Sequence, residues 1–459
     1  IDGVDGEMKR KMISILILIC IVAASVAGCS STANTASQST SSSTESSGAT
    51  GNSQPGSGSS ATITGTAAYS QSGSTATKSN EKITASDSNE SGIKVSNSGT
   101  LTISDSEITT SGSTTSEDES NFYGLNAGVL AGSGSTINLS DSTISTSGSG
   151  ANGVFATGSE SAVNVSNVTI KTTADSSRGL DATQTGTVNA TDVTISTAGT
   201  HCAAIATDRG EGTINVTGGT MTTTGTDSPG IYSTGTITVS GAKITATGSE
   251  AAVVEGKNSI TLTNTTISGA KKNGVMMYQS FSGDAATGTS TFTMTGGFLS
   301  AAVGSLFYIT NTQAVVNLKG ADLTASSGSL ITAAADRWGT SGSNGGTLTF
   351  NADSETLAGD IVADKISSID AVLKNNTTLT SSVNNENKLC NVSMTLDSTS
   401  KWNVTADSYV KSLTDSDTTL SNIIDNGHTV YYDSSNSANS WLNGKTITLS
   451  GGGKLTPYK

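Results

Sequence analysis

The chain has 459 residues and a formal net charge of −14, with 13% charged residues, 4% aromatics, 52 Gly and 3 Pro. This balance excludes recognition of a nucleic-acid backbone, which needs clustered Lys and Arg; no basic run follows Lys11. Few charges, few aromatics and abundant Ser, Thr, Gly and Asn also argue against a string of ordinary globular domains and leave a repetitive β architecture or disorder.

Lys9-Arg10-Lys11 precede an apolar stretch, Met12 to Ala24, that runs into Val26-Ala27-Gly28-Cys29. A basic start, a short apolar run and small residues before a cut predict an export signal over residues 1–28. The apolar run falls short of the ~20 residues that a membrane helix needs. Residues 1–7 stand ahead of Met8 and do not fit a signal, so they are expected to lie outside the true start. The VAGC sequence, followed by Ser30, resembles the lipobox of bacterial lipoproteins. That resemblance implies that Cys29 becomes the mature N-terminus, carries a lipid and anchors the protein to a membrane of the cell envelope, exposed at the surface. Of the other cysteines, Cys20 falls within the signal, and Cys202 and Cys390 lie far apart. Two distant thiols leave pairing open but do not make a disulfide framework.

From Cys29 to Thr77 the sequence is Ser, Thr, Gly, Ala and Gln with almost no large apolar residue. Such a segment cannot bury enough surface to offset the entropy of ordering, so residues 29–77 are expected to form a disordered tether. A flexible linker of about 48 residues spans roughly 40 Å root-mean-square.

Residues 78–350 repeat. One apolar column reads Leu101, Ile137, Val163, Val188, Ile214, Ile237, Ile260, Phe292, Val316 and Leu348, at intervals of 36, 26, 25, 26, 23, 23, 32, 24 and 32 residues. A second column follows two residues later, from Ile103 to Phe350, and a third five residues beyond that, from Ile108 to Leu323. A period near 25 with loop-sized excesses is the signature of a solenoid, and the two-residue step is strand alternation. Between the second and third columns stand Asp105, Asp141, Asn167, Asp192, Gly218, Gly241, Asn264, Gly296 and Gly320. These residue types tolerate a left-handed backbone, so they predict one tight corner per coil. A third strand is expected at Gly153-Val154, Gly179-Leu180, Gly230-Ile231, Ala252-Val253, Gly274-Val275 and Ser305-Leu306, with the second residue of each pair inward. Three short parallel strands per coil define an all-β fold, a single-stranded parallel β-helix. Over residues 93–350 the pattern resembles right-handed β-helices of the pectate-lyase-like architecture, a likeness that speaks for fold and hardly at all for function.

Residues 351–459 keep the alternation with looser spacing, and less regular coils with a cap are expected there. The run Trp402-Asn403-Val404-Thr405-Ala406-Asp407-Ser408-Tyr409-Val410-Lys411-Ser412-Leu413 is similar to a W-x-V-T-x-x-S-x-V-x-x-L run near the ends of bacterial autotransporter adhesin passengers. Autotransporters continue into a membrane barrel, whereas 46 residues follow Leu413, so lipid anchoring is the expectation here.

The outward positions of the first strand, among them Asn138, Asn164, Asn189, Asn215 and Thr238, make a hydroxyl and amide lattice. Thr is a good strand former with a soluble face, and the lattice needs no further explanation. The outward positions of the third strand, read as Phe155, Asp181, Ala206, Tyr232, Val254, Met276, Phe307 and Ile331, form an apolar and aromatic stripe that the fold does not require. Insertions over residues 280–290 and 336–346 stand beside it; with their flanks they supply Tyr278, Phe281, Arg337 and Trp338, groups of the kind that stack on sugars. The stripe is either covered by those insertions or is a groove; as a groove, its candidate ligand contacts are Phe155, Tyr232, Met276, Tyr278, Phe307, Arg337 and Trp338.

Polysaccharide lyases of this architecture need clustered acids for a cation beside an Arg or Lys base. Arg178, Asp181, Asp208 and Arg209, with Lys271 and Lys272 further on, are the nearest approach to such a cluster. Calcium ligands are sought at Asp105, Asp141 and Glu117-Asp118-Glu119, although a corner role already accounts for the first two; no cofactor is expected. His201 and His428 lie far apart, and no HExxH or Walker-type loop is present. The expectation is a lipid-anchored, non-catalytic rod for adhesion or for binding polysaccharide or a host or neighbouring cell surface. A polysaccharide lyase or hydrolase on the same rod is the alternative, and a structural spacer of the envelope the third reading.

Overall fold

The computed structural model describes residues 63–458. The signal, Cys29 and most of the tether therefore lie outside the described residues. The described chain is an all-β parallel solenoid. Strands three apart in sequence pair in parallel, giving sheets of fourteen, ten and twelve strands that carry the first, second and third strand of each coil. Fourteen strands at ~4.8 Å spacing give a stack about 60 Å long.

The solenoid starts earlier than the composition suggests. Thr66–Ser72, Thr75–Ser79 and Lys82–Ala85 already form a coil and pair with the next one, although the first two fall in the stretch expected to be tether. These strands carry few large apolar residues: Tyr69 and Ala76 only partly bury against the core. Alternation was hidden among Thr, Ala and Ser.

The inward columns behave as their spacing predicts as far as Val316; in the next coil Phe350, and not Leu348, pairs with Val316, two residues from the expected register. Leu101, Ile137, Val163, Val188, Ile214, Ile237, Ile260, Phe292 and Val316 are all fully buried and belong to one continuous hydrophobic cluster. No coil closes that core alone; each buries its apolar face only on its neighbours. The corner column is left-handed at every predicted position, from Asp105 at φ 52° through Asn264 at 46° to Gly320 at 60°. Between coils the outward Asn side chains stack: Asn164 Nδ2 donates to Asn138 Oδ1 at 2.8 Å, Asn189 to Asn164 at 2.8 Å and Asn215 to Asn189 at 2.9 Å. The amide lattice is thus partly occupied with itself. Asp141, sought as a calcium ligand, accepts from Asn167 Nδ2 at 2.8 Å across the corner.

The small residue before each third strand has a steric cause. A Cβ at Gly179 would stand 2.5 Å from both the Ala204 carbonyl oxygen and Ile195 Cγ2, because the backbone of the next coil passes directly over it. Three third strands sit one residue away from the predicted register. Ile231 pairs with Ala252, Val275 with Phe307, and Phe307 with Ile331. Ala252, Val254, Phe307 and Ile331 therefore point inward, while Val253 and Tyr308 point out. Phe307 is fully buried between Phe292 and Phe350, at ring distances of 6.0 and 5.7 Å.

Past residue 350 coiling continues. The first sheet runs on to Ser412–Asp415, and a separate four-stranded sheet from Thr356–Ala358 to Ile423–Ile424 takes over the second face. Trp402, Val404, Val410 and Leu413 of the adhesin-like run are buried core residues. The end is closed by a last sheet containing an antiparallel pair, Ile447–Thr448 with Lys454–Pro457, and by a short 3-10 turn over Ser437–Leu442. Cys202 and Cys390 are both free thiols. Cys202 takes its place in a column with Ser177 and Ser228: its Sγ accepts from Ser177 N at 3.1 Å, and its own N–H donates to Ser228 Oγ at 2.9 Å.

Candidate ligand cleft on the third sheet

The outward column of the third sheet is the floor of a cleft of about 470 Å³. In register along it stand Phe155, Asp181, Ala206, Tyr232, Val253, Met276 and Tyr308. One wall is a helix, α1 (Glu117–Tyr123), inserted between two coils. Its start is written in the sequence: Ser116 Oγ accepts the Glu119 N–H at 3.3 Å, and Glu117, Asp118 and Glu119 occupy the first turn, where the helix dipole favours negative charge. The three acids that suggested calcium are thus a helix start. Among the described residues no group of three or more metal-ligating side chains converges. Gly124 ends the helix at φ 75°, and Thr183 Oγ1 donates to the Phe122 carbonyl at 2.8 Å, fastening α1 to the sheet.

The helix decides which aromatic residues reach solvent. Phe155 points outward as predicted, but it packs with Ala127 and Leu130 beneath this segment and is fully buried. Phe307, turned into the core, is also withdrawn. The other five predicted contacts come together: Tyr232, Met276, Tyr278, Arg337 and Trp338 all line the cleft. The insertions flank the stripe without sealing it. Trp338 lies 5.2 Å from Tyr278 and 6.0 Å from Phe281, ring centre to ring centre, and Arg337 stacks over it at 4.7 Å. Its indole N–H is buried without a hydrogen-bond partner.

The charged cluster also assembles: Arg178 and Asp208 line the cleft, and Asp181 is buried behind them. Arg178 Nη2 lies 3.0 Å from Asp208 Oδ2, and its Nε lies 3.8 Å from Asp181 Oδ2, while Nη1 donates to Asn121 of α1. Neither Asp181 oxygen accepts a hydrogen bond, and the side chain is wholly buried. Burial, reinforced by the charge on Asp208, pushes the Asp181 carboxyl well above the usual carboxylate range against the pull of Arg178. Burial also raises Asp208, with Arg178 opposing. Arg209 turns aside: it stacks over Phe122 at 3.8 Å and binds Asp284 Oδ1 at 2.7 Å. Glu255 gathers the hydroxyls of Tyr232, Tyr278 and Ser280, orienting both tyrosines. Burial pushes both phenols up, so they stay protonated as donors at neutral pH.

Several lining residues carried no periodic signal: Glu117, Asn121, His201, Asp227 and Glu250. Lys272 pairs with Asp227 and stands 3.8 Å from Glu250, whereas Lys271 is exposed and does not line the cleft. Charges are scarce in this chain, and their bunching in the loops before the third strands was the available hint.

The fold defines the chain as an all-β parallel solenoid with a polar and aromatic cleft on one sheet. No family model, curated protein or solved structure matches it.

Proposed function

We propose that this is a lipid-anchored bacterial surface protein whose rigid solenoid presents the third-sheet cleft to a carbohydrate of a polysaccharide or of a host or neighbouring cell surface. In this reading Cys29 carries the lipid, the segment after it is the tether, and binding proceeds without turnover. The cleft is the observation behind it. Tyr232, Tyr278 and Trp338 offer flat apolar faces, and carboxylates and a buried indole N–H beside them offer hydrogen bonds to hydroxyls.

A second reading, cleavage of the bound polysaccharide, draws on Arg178 and Asp208 lining the cleft with Asp181 buried beside Arg178. Burial raises both carboxyls, and a carboxyl that holds its proton more tightly than usual is the kind of group that donates a proton to a leaving oxygen. Incubating the purified chain with pectins, mucins and host glycans, with retention and products both assayed, separates the readings. Retention without new ends is expected; new reducing or unsaturated ends would replace binding by catalysis, and no retention would leave the spacer. Replacing Tyr232 or Trp338 by Ala should weaken retention about tenfold while leaving the melting curve in place. Unchanged retention in both variants would remove the cleft from the binding surface.

A further inference from the structure

The charges in the cleft do not cancel. Five carboxylates line it, those of Glu117, Asp208, Asp227, Glu250 and Asp284, against three permanent cations, Arg178, Lys272 and Arg337. The cations near the floor are already engaged. Arg178 serves Asp208, Arg209 behind the wall serves Asp284, and Lys272 is held in contact by Asp227. Arg337 spends its face on Trp338 and makes no ion pair among the described residues.

Glu250 is left over. It is 5% exposed, its only near cation is Lys272 at 3.8 Å, and its one side-chain hydrogen bond is from the neighbouring Ser249 hydroxyl. A buried carboxylate whose one near cation is shared with a second carboxylate is costly, and a ligand that brings a further positive charge relieves the cost. A polyuronate would add negative charge to a site that already has a surplus.

We infer that the cleft selects a saccharide bearing a free amine, its ammonium directed to Glu250 and its ring laid against Tyr232 and Tyr278. This rests on the carbohydrate reading above and names the class of sugar within it. The geometry gives both halves of an amino sugar a partner. The Glu250 carboxylate, buried in the cleft, receives the ammonium, and the tyrosines pinned by Glu255 keep flat faces toward the ring.

The test uses the purified full chain and oligosaccharides of matched length: glucosamine oligomers, their N-acetylated counterparts, and oligogalacturonate. The amine form should bind about tenfold more tightly than the acetylated form, since a charge-assisted bond is roughly twice as strong as a neutral one. Its affinity should fall between low and high salt while that of the acetylated oligomer stays level. In E250Q the preference for the amine should disappear with binding of the acetylated oligomer retained; the salt comparison on the unaltered chain decides the matter if this variant does not fold. Equal or tighter binding of the acetylated form, tightest binding of the uronate, or an amine preference that survives in folded E250Q would each overturn the inference while leaving the carbohydrate reading intact. Failure of all three oligomers, and of neutral hexose oligomers added as a control, would remove both.

Discussion

Glu355 shows how a single residue can tie the stability of a coil to pH. It is 2% exposed; one carboxylate oxygen accepts the Ala321 N–H at 3.0 Å and the other has no partner. Burial pushes its carboxyl from 4.5 up to about 7. Because the folded state holds this proton more tightly than the unfolded chain, the group's contribution to stability falls as pH rises from 4.5 to about 7 and is level above that. E355Q should therefore gain in melting temperature relative to the parent between pH 4.5 and 7, as followed by circular dichroism, with no further gain at pH 8. A difference that did not vary with pH would mean that Glu355 does not titrate in this range. Nothing in the sequence singled out this glutamate; its burial follows from the coil stacked beside it. Corner residues were easier to read. Asp, Asn or Gly recurring at one offset has few causes other than a left-handed turn, and all nine predicted positions adopt it.

At the level of elements, the first and second strands were legible because Thr and Ser alternate there with single apolar residues. The third strand failed where alternation failed. Ala251, Ala252, Val253 and Val254 are consecutive and apolar, as are Leu306 and Phe307, so nothing in the pattern fixed which one faces inward. That one-residue ambiguity moved Phe307 from core to proposed contact. Helix α1 was missed for another reason: seven residues among serines are too short for a helical period, and only the Ser116 cap with its acidic first turn announces it. The helix is both lid for Phe155 and wall for the cleft, and Gly124 is where it can be tested. A Cβ there would lie 2.6 Å from both Leu130 Cδ1 and Phe155 Cδ1, on a backbone at φ 75°. Gly124→Ala should lower stability by about 1–3 kcal/mol, measured by denaturant titration. It should also weaken carbohydrate retention, because Asn121 and Phe122 move with the helix. Loss of stability with retention unchanged would show that α1 is only a cover.

On the scale of the whole solenoid, stability is local. The strands of each coil pair only with those of its neighbours, so the ends are where a stack of this kind frays and where unpaired strand edges invite association. The C-terminal sheet with its antiparallel pair turns the last edge away from further parallel addition. Truncation after Asp425 removes all of that sheet but Ser408–Val410 and should yield soluble aggregates by light scattering while the β signature of the remaining coils persists. A monodisperse truncated protein would mean that the terminal segment does not act as a cap. Segments on α1, on the coils around Arg178, Tyr232 and Glu250, and on the insertion carrying Trp338 all contribute to one cleft. A guest lodged there would therefore behave as a clip across the middle of the pile: coils that otherwise peel away one at a time would have to let go together. Occupancy would be felt first as resistance to being pulled apart, a useful property in the binding role proposed above.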